Sequence, residues 1–247
     1  SHGFWSLGGF VGGSAGSYAI VHWGPYVQVI CATLIALTLV LLAIPHVLHD
    51  TPAPRQTGTA KPAKSVILPR DWGLWLLGFM AMFSMVPEGA ILDWAAIYLT
   101  QDLGSDMLRS GLAFAFFAGA MAVMRFVGDG LRHRLGAVRT LRMSGLVGAI
   151  GIMGGAIAPN DVVAIASFAF AGIGIANMVP ILFSAAGNHP GLPAGTAISI
   201  VTMVGYAGIL IAPSTIGFVA EHAGFRFTYA ALALLLQDGI GDTIRVS

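Results

Sequence analysis

Long apolar runs separated by short polar turns organise this chain. About 20 mostly apolar residues suffice to cross a bilayer as a helix. Such runs occur near 3–22, 25–48, 72–100, 107–128, 137–158, 162–187 and 195–220, and an eighth opens near 227. The breaks at 22–25, 159–161 and 189–193 hold Gly, Pro, Asn or Asp, the residues that punctuate helices. The eighth run is apolar only over 227–236, and 237–247 is polar. Ten helical residues rise about 15 Å, half the hydrocarbon thickness. Either the last span is truncated at Leu236, or the tail is not its native continuation.

The longest polar stretch, 49–70, is rich in Pro, Thr, Ala and Lys and has no helical apolar period. It reads as a linker between two bundles. It carries Arg55, Lys61, Lys64 and Arg70, while 129–142 carries Arg132, Arg134, Arg139 and Arg142, with Arg125 just before them. Alternating the spans places both segments on one side and leaves only Arg109 and Arg226 on the other. The excess of Lys and Arg makes the first side cytoplasmic. Trp23, Tyr26, Trp72, Trp75 and Tyr98 fall near span ends, at the headgroup level that Trp and Tyr favour.

Composition fits this picture. The 247 residues are 56% hydrophobic and 9% charged, against about 25% charged in soluble domains. So few charges cannot clothe a water-facing surface, so most of it must face the lipid bilayer or other apolar helices. The net charge of +1 and the confinement of basic residues to loops argue against nucleic acid. Cys31 is the only cysteine and lies in an apolar run, so it reads as a small packing side chain. The chain starts with Ser inside an apolar stretch, which reads as a fragment with missing N-terminal helices upstream.

Charge inside a membrane is costly and usually faces a cavity or a partner. Glu88 and Asp93, in the third span, are the clearest cases. Asp93 lies about 7.5 Å further along the helix and about 140° around it. The two carboxylates thus share no stripe, but both can border one cavity. Glu88 is a candidate for binding a proton or a polar substrate, with Asp93 and the adjoining Trp94 in support. Pro87 just before it withdraws a backbone donor and kinks the helix. In the sixth span Asn177 lies near mid-depth, where its amide can serve a substrate hydroxyl or another helix. In the first span Gly8, Gly9, Gly12, Gly13 and Gly16 recur at three- and four-residue intervals, a spacing that lets helices approach closely. Hydrolase, P-loop and metal-cluster motifs are absent, so no enzyme activity, metal or cofactor is expected.

The segment 125–142, RFVGDGLRHRLGAVRTLR, is where a family comes into view. Gly128, Asp129, Arg134 and Gly136, flanked by Arg125 and Arg139, resemble the cytoplasmic loop signature of the major facilitator superfamily. Counted from the 49–70 linker, the spans become helices five to twelve of twelve, and this loop falls between the eighth and ninth, where a second copy belongs. The segment PEGAILDW and the Gly-rich first span resemble the MosC-like subgroup.

The resemblance implies an all-α integral membrane protein, a partial major facilitator-type helical bundle. Residues 1–48 would end an N-terminal bundle, 49–70 form the cytoplasmic linker, and 71–236 form a C-terminal six-helix bundle with a shortened last helix. It also implies a gating latch in which Asp129 pairs with cations or a helix N-terminus. The expected function is secondary transport of a small polar organic solute, such as a sugar or polyol, by alternating access across a bacterial inner membrane. Protons are a candidate coupling partner. An efflux pump for apolar compounds and a non-transporting membrane sensor are the alternatives. The fifth helix lacks the Gly-Pro pair of the superfamily's antiporters, which argues against drug–proton exchange.

Overall fold

The computed structural model describes residues 2–46 and 71–241. The 49–70 linker, with its four basic residues, and the end of the tail lie outside the described residues. Among those described, helices and short turns account for the whole fold. The helices are α1 (His2–Trp23), α2 (Pro25–Ala43), α3 (Trp72–Leu103), α4 (Met107–Leu135), α5 (Ala137–Ala156), α6 (Asp161–Ile175), α7 (Met178–Gly187), α8 (Ala194–Ala223) and α9 (Phe225–Gly241). Among the described residues, five segments are long and apolar enough to cross a membrane: Pro25–Ala43, Trp72–Leu103, Met107–Gly128, Asp161–Gly187 and Ala194–Ala223.

Two compact units divide the chain: Ser1–Tyr18 with Trp72–Ser247, and Ala19–Asp71. The division falls inside α1. In the second unit α2 has no buried residue, and its Leu, Ile and Val side chains are exposed along its length. A helix apolar all round is one that lipid or other apolar helices must cover.

In the first unit, local chemistry sets the helix ends. The Asp106 carboxylate accepts from the Arg109 amide at 2.9 Å, and the Asn160 side chain accepts from the Val163 amide at 3.0 Å. Both are N-caps that satisfy a donor the helix leaves orphaned. The α4–α5 connection is a single residue, Gly136, at φ 79°, where a Cβ would strain the backbone.

This turn corrects the expected loop. Gly128, Asp129 and Arg134 are not turn residues; they lie within α4, which runs on to Leu135. The reason is that Gly136 alone closes the connection, its amide bonding the Arg132 carbonyl at 2.9 Å. The side chain of Asp129, and with it the expected latch, lies outside the described residues. Arg134 and Arg139 are exposed at this end of the bundle, while Arg132 donates to the Ser184 hydroxyl of α7 at 2.8 Å.

The expected sixth span is two helices. α6 ends at Ile175, and α7 starts at Met178 after a turn at Ala176 and Asn177. Residue 180 is proline, so the Ala176 carbonyl has no amide four residues on. The last helix also differs from expectation: α9 covers 17 residues, about 25 Å, and continues through 237–241. There Gly239 seats against the Phe83 ring of α3, and a Cβ on it would come within 2.9 Å of that ring.

Aromatic residues fill the core between α3, α5, α6 and α9. The rings of Tyr98, Phe168, Phe225 and Tyr229 pack tilted or edge-on at centroid distances of 5.0 to 6.2 Å. The Tyr98 hydroxyl donates to the Gly155 carbonyl at 2.9 Å, and that of Tyr229 to Ala90 at 3.0 Å. Each buried phenol thus has its partner. α5 and α6 touch backbone to backbone. A Cβ at Gly174 would collide with the Gly148 amide, and one at Gly151 with the Ala171 backbone. Neither neighbour is a side chain that can swing aside. Gly174→Val is therefore expected to lower stability by more than about 3 kcal/mol, the upper range for overpacking. A thermal melt in detergent that matches the parent would overturn this packing.

In the expected glycine stripe of α1, Gly9 and Gly13 face Phe114 of α4, whereas Gly8 and Gly12 have open space where a Cβ would go. The stretch of α1 around Gly9 and Gly13 thus seats on α4 through one edge of the stripe.

Candidate functional site

A cavity of about 520 Å³ opens among α3, α4, α7 and α8. α3 lines it with Met85, Glu88, Gly89, Leu92 and Asp93; α4 supplies Arg125, α7 Val179 and Phe183, and α8 Tyr206 and Ile209. Glu88 and Asp93 border the same space despite lying 140° apart around α3. The cavity is wide enough to reach both flanks of the helix.

Arg125 is the centre of the site. Its Nη2 lies 3.4 Å from Oε1 of Glu88, and the two side chains are only 7% and 17% exposed. Its Nε donates to the Ala176 carbonyl at 3.1 Å, and its Nη1 to the Ser6 hydroxyl of α1. One planar guanidinium thereby joins α1, α3, α4 and the α6–α7 break. It also supplies the donor that Pro180 withholds from Ala176. Burying an ion pair in this setting requires that its remaining hydrogen-bonding capacity be met, and Ser6 and Ala176 each take one donor on the arginine side.

Along the sequence Arg125 groups with the cytoplasmic basic segment. It belongs instead to the cavity. The signal was its distance from the turn: it lies eleven residues before Gly136, about 16 Å along a helix. Ser6, Phe183 and Tyr206 were also missed, since nothing local distinguishes them from packing residues.

Asn177 does not line the cavity. Its amide donates to the Met124 carbonyl at 3.4 Å, and it fills the space left by Gly128, where a Cβ would collide with it. Gly128 is thus a seat for the α6–α7 turn. Trp94 also points elsewhere: it borders a second, open cavity of about 480 Å³ with Pro213, Gly217 and Glu221, and its buried Nε1 has no hydrogen-bond partner among the described residues. Asp93 has neither ion-pair nor hydrogen-bond partner among the described residues. It also borders a small cleft with Ala212, Pro213 and Ile216.

Towards the end of the bundle away from the basic turn, Ser105 donates to Asp161 Oδ2 at 3.0 Å, and Arg109 approaches the same oxygen at 3.5 Å. These contacts tie the α3–α4 connection to the start of α6 and lie apart from the cavity.

Comparison with known proteins agrees with this architecture. The chain is 34% identical over 238 residues to an uncharacterised MFS-type transporter of Yersinia pestis, covering 95% of this chain and 60% of the relative. It is 28% identical to the membrane protein MosC of Rhizobium meliloti, covering 91% and 53%. It therefore spans between 53 and 60% of the length of these two relatives. Among solved structures, a mutant of the peptide transporter POT in complex with sulfate superposes with a TM-score of 0.61 at 21% identity, over 70% of this chain and 37% of the other, a likeness of fold. The Major Facilitator Superfamily model matches residues 1–213. A helical, multi-pass chain with a mid-helix ion pair in a cavity, matched over that length, belongs to the Major Facilitator Superfamily and is an integral membrane protein.

Proposed function

We propose that the parent protein is a secondary transporter that moves a small organic solute by alternating access, with Glu88 coupling proton or solute binding to helix movement. The observation that carries this is the Glu88–Arg125 pair inside the cavity. A pair at that depth is costly to maintain, and in membranes such groups mark solute or proton pathways. Neutralising Glu88 by a proton removes the counter-charge of Arg125. Arg125 also holds the carbonyl at the α6–α7 break, so the change reaches a helix interruption. Two arrangements of that junction would bias the two facings of the carrier. In this reading residues 1–48 end an N-terminal bundle and 49–70 join it to the bundle that holds the cavity. The sugar or polyol expectation stands as the polar end of the solute range.

The test uses the full-length parent in proteoliposomes containing a pH-sensitive dye, with sugars, polyols, amino acids and organic cations added in turn. A solute-dependent proton flux, lost in Glu88→Gln, is the expected result. Solute binding without flux of any solute would sink the transport reading and favour a sensor.

A further inference from the structure

We infer that the solute is an organic cation, a protonated amine on an apolar or aromatic body, and that Asp93 is the residue that binds its charge. This rests on the transport reading above and names its substrate class. Among the described residues, the charges that face the cavity are Glu88, Asp93 and Arg125. Glu88 and Arg125 offset each other at 3.4 Å. Arg125 is further committed to Ser6 and Ala176, so it is built into the wall and poorly placed to receive a solute carboxylate or phosphate. One carboxylate, Asp93, is left over.

A lone carboxylate facing an apolar membrane cavity calls for a positive partner. The cavity lining supplies the rest of the site. Tyr206 and Phe183 line the same cavity further along α3 from Asp93 and give aromatic faces for the body of the solute. Ile209 lies on the same wall, and its carbonyl has no helical amide donor because residue 213 is proline. Beyond these, the lining is Met, Leu, Val and Gly. A sugar site needs several neutral donors and acceptors converging on hydroxyls. This half of the site offers one phenol and no amide.

The experiment is calorimetric titration of the purified full-length parent with phenethylamine, its uncharged counterpart 2-phenylethanol, and mannitol. Phenethylamine is expected to bind about 10-fold or more tightly than 2-phenylethanol. Asp93→Asn should weaken the amine by about 10-fold or more, the range for a hydrogen bond to a charged group, and leave 2-phenylethanol unchanged. Asp93→Glu should restore most of the loss. Asp93 is exposed in the cavity, so both variants should fold. Unchanged amine affinity in Asp93→Asn, or mannitol binding more tightly than the amine, would overturn the inference. Amine binding without flux would support it while removing the transport reading; mannitol flux without amine binding would do the reverse.

Discussion

Arg125→Met is expected to destabilise the parent protein by about 3–5 kcal/mol, the range for removing one partner of a buried ion pair. Methionine preserves much of the length of the side chain but none of its donors. Glu88, 17% exposed, then loses its counter-charge, and the Ala176 carbonyl loses its donor. These losses differ in size. Interhelical hydrogen bonds in membranes average about 0.6 kcal/mol, so the unpaired carboxylate dominates.

The smaller part can be isolated. Pro180→Ala returns an amide to the Ala176 carbonyl, making the arginine redundant there. The double variant should be more stable than the sum of its singles by about 0.5–1 kcal/mol, read from melts in one detergent. Strict additivity would show that the Arg125 contact with the break carries no energy. Arg125→Lys should recover little, because one compact ammonium cannot span Glu88, Ala176 and Ser6 at once.

Glu88→Gln is expected to reduce solute-driven proton flux by about 10- to 100-fold, corresponding to the loss of a coupling energy of about 1–3 kcal/mol. The fold should survive: glutamine has the same shape, its carbonyl can still accept from Arg125, and Arg125 keeps its other two partners. Counterflow of labelled solute, which needs no net proton movement, should persist. This split separates a coupling residue from a packing residue, whose replacement would lower both. Equal loss of flux and counterflow would indicate that Glu88 holds the structure rather than the proton. An unchanged pH profile would remove the coupling role altogether.

The contrast between Glu88 and Arg125 marks what could be read along the chain. A carboxylate within an apolar run stands out because the cost of burying charge does not depend on which helix lies opposite. Glu88 and Asp93 were visible for that reason. Arg125 obeys the same rule, but it adjoins a basic segment and was absorbed into a loop. Only the length of α4 separates the two readings, and Gly136, as a one-residue turn, sets that length. The break at Ala176 had a local signal in Pro180. Membrane helices tolerate proline when neighbours restore the lost bond, so that signal could not by itself distinguish a kink from two helices.

The sequence by itself determined that the chain crosses a membrane repeatedly as helices, since so few charges over so long an apolar chain leave no other solvent for it. Its loop signature pointed to the superfamily that the comparisons show. The tertiary structure alone decided which polar residues meet. It took Asn177 out of the cavity and Trp94 to another, moved Gly128 from a turn to a helix contact, and put Arg125 between Glu88 and Ala176. Those pairings join residues 37 and 51 positions apart. They depend on how α3, α4 and the α6–α7 break pack together, and a periodicity read along one helix holds no record of which neighbour its polar face will find.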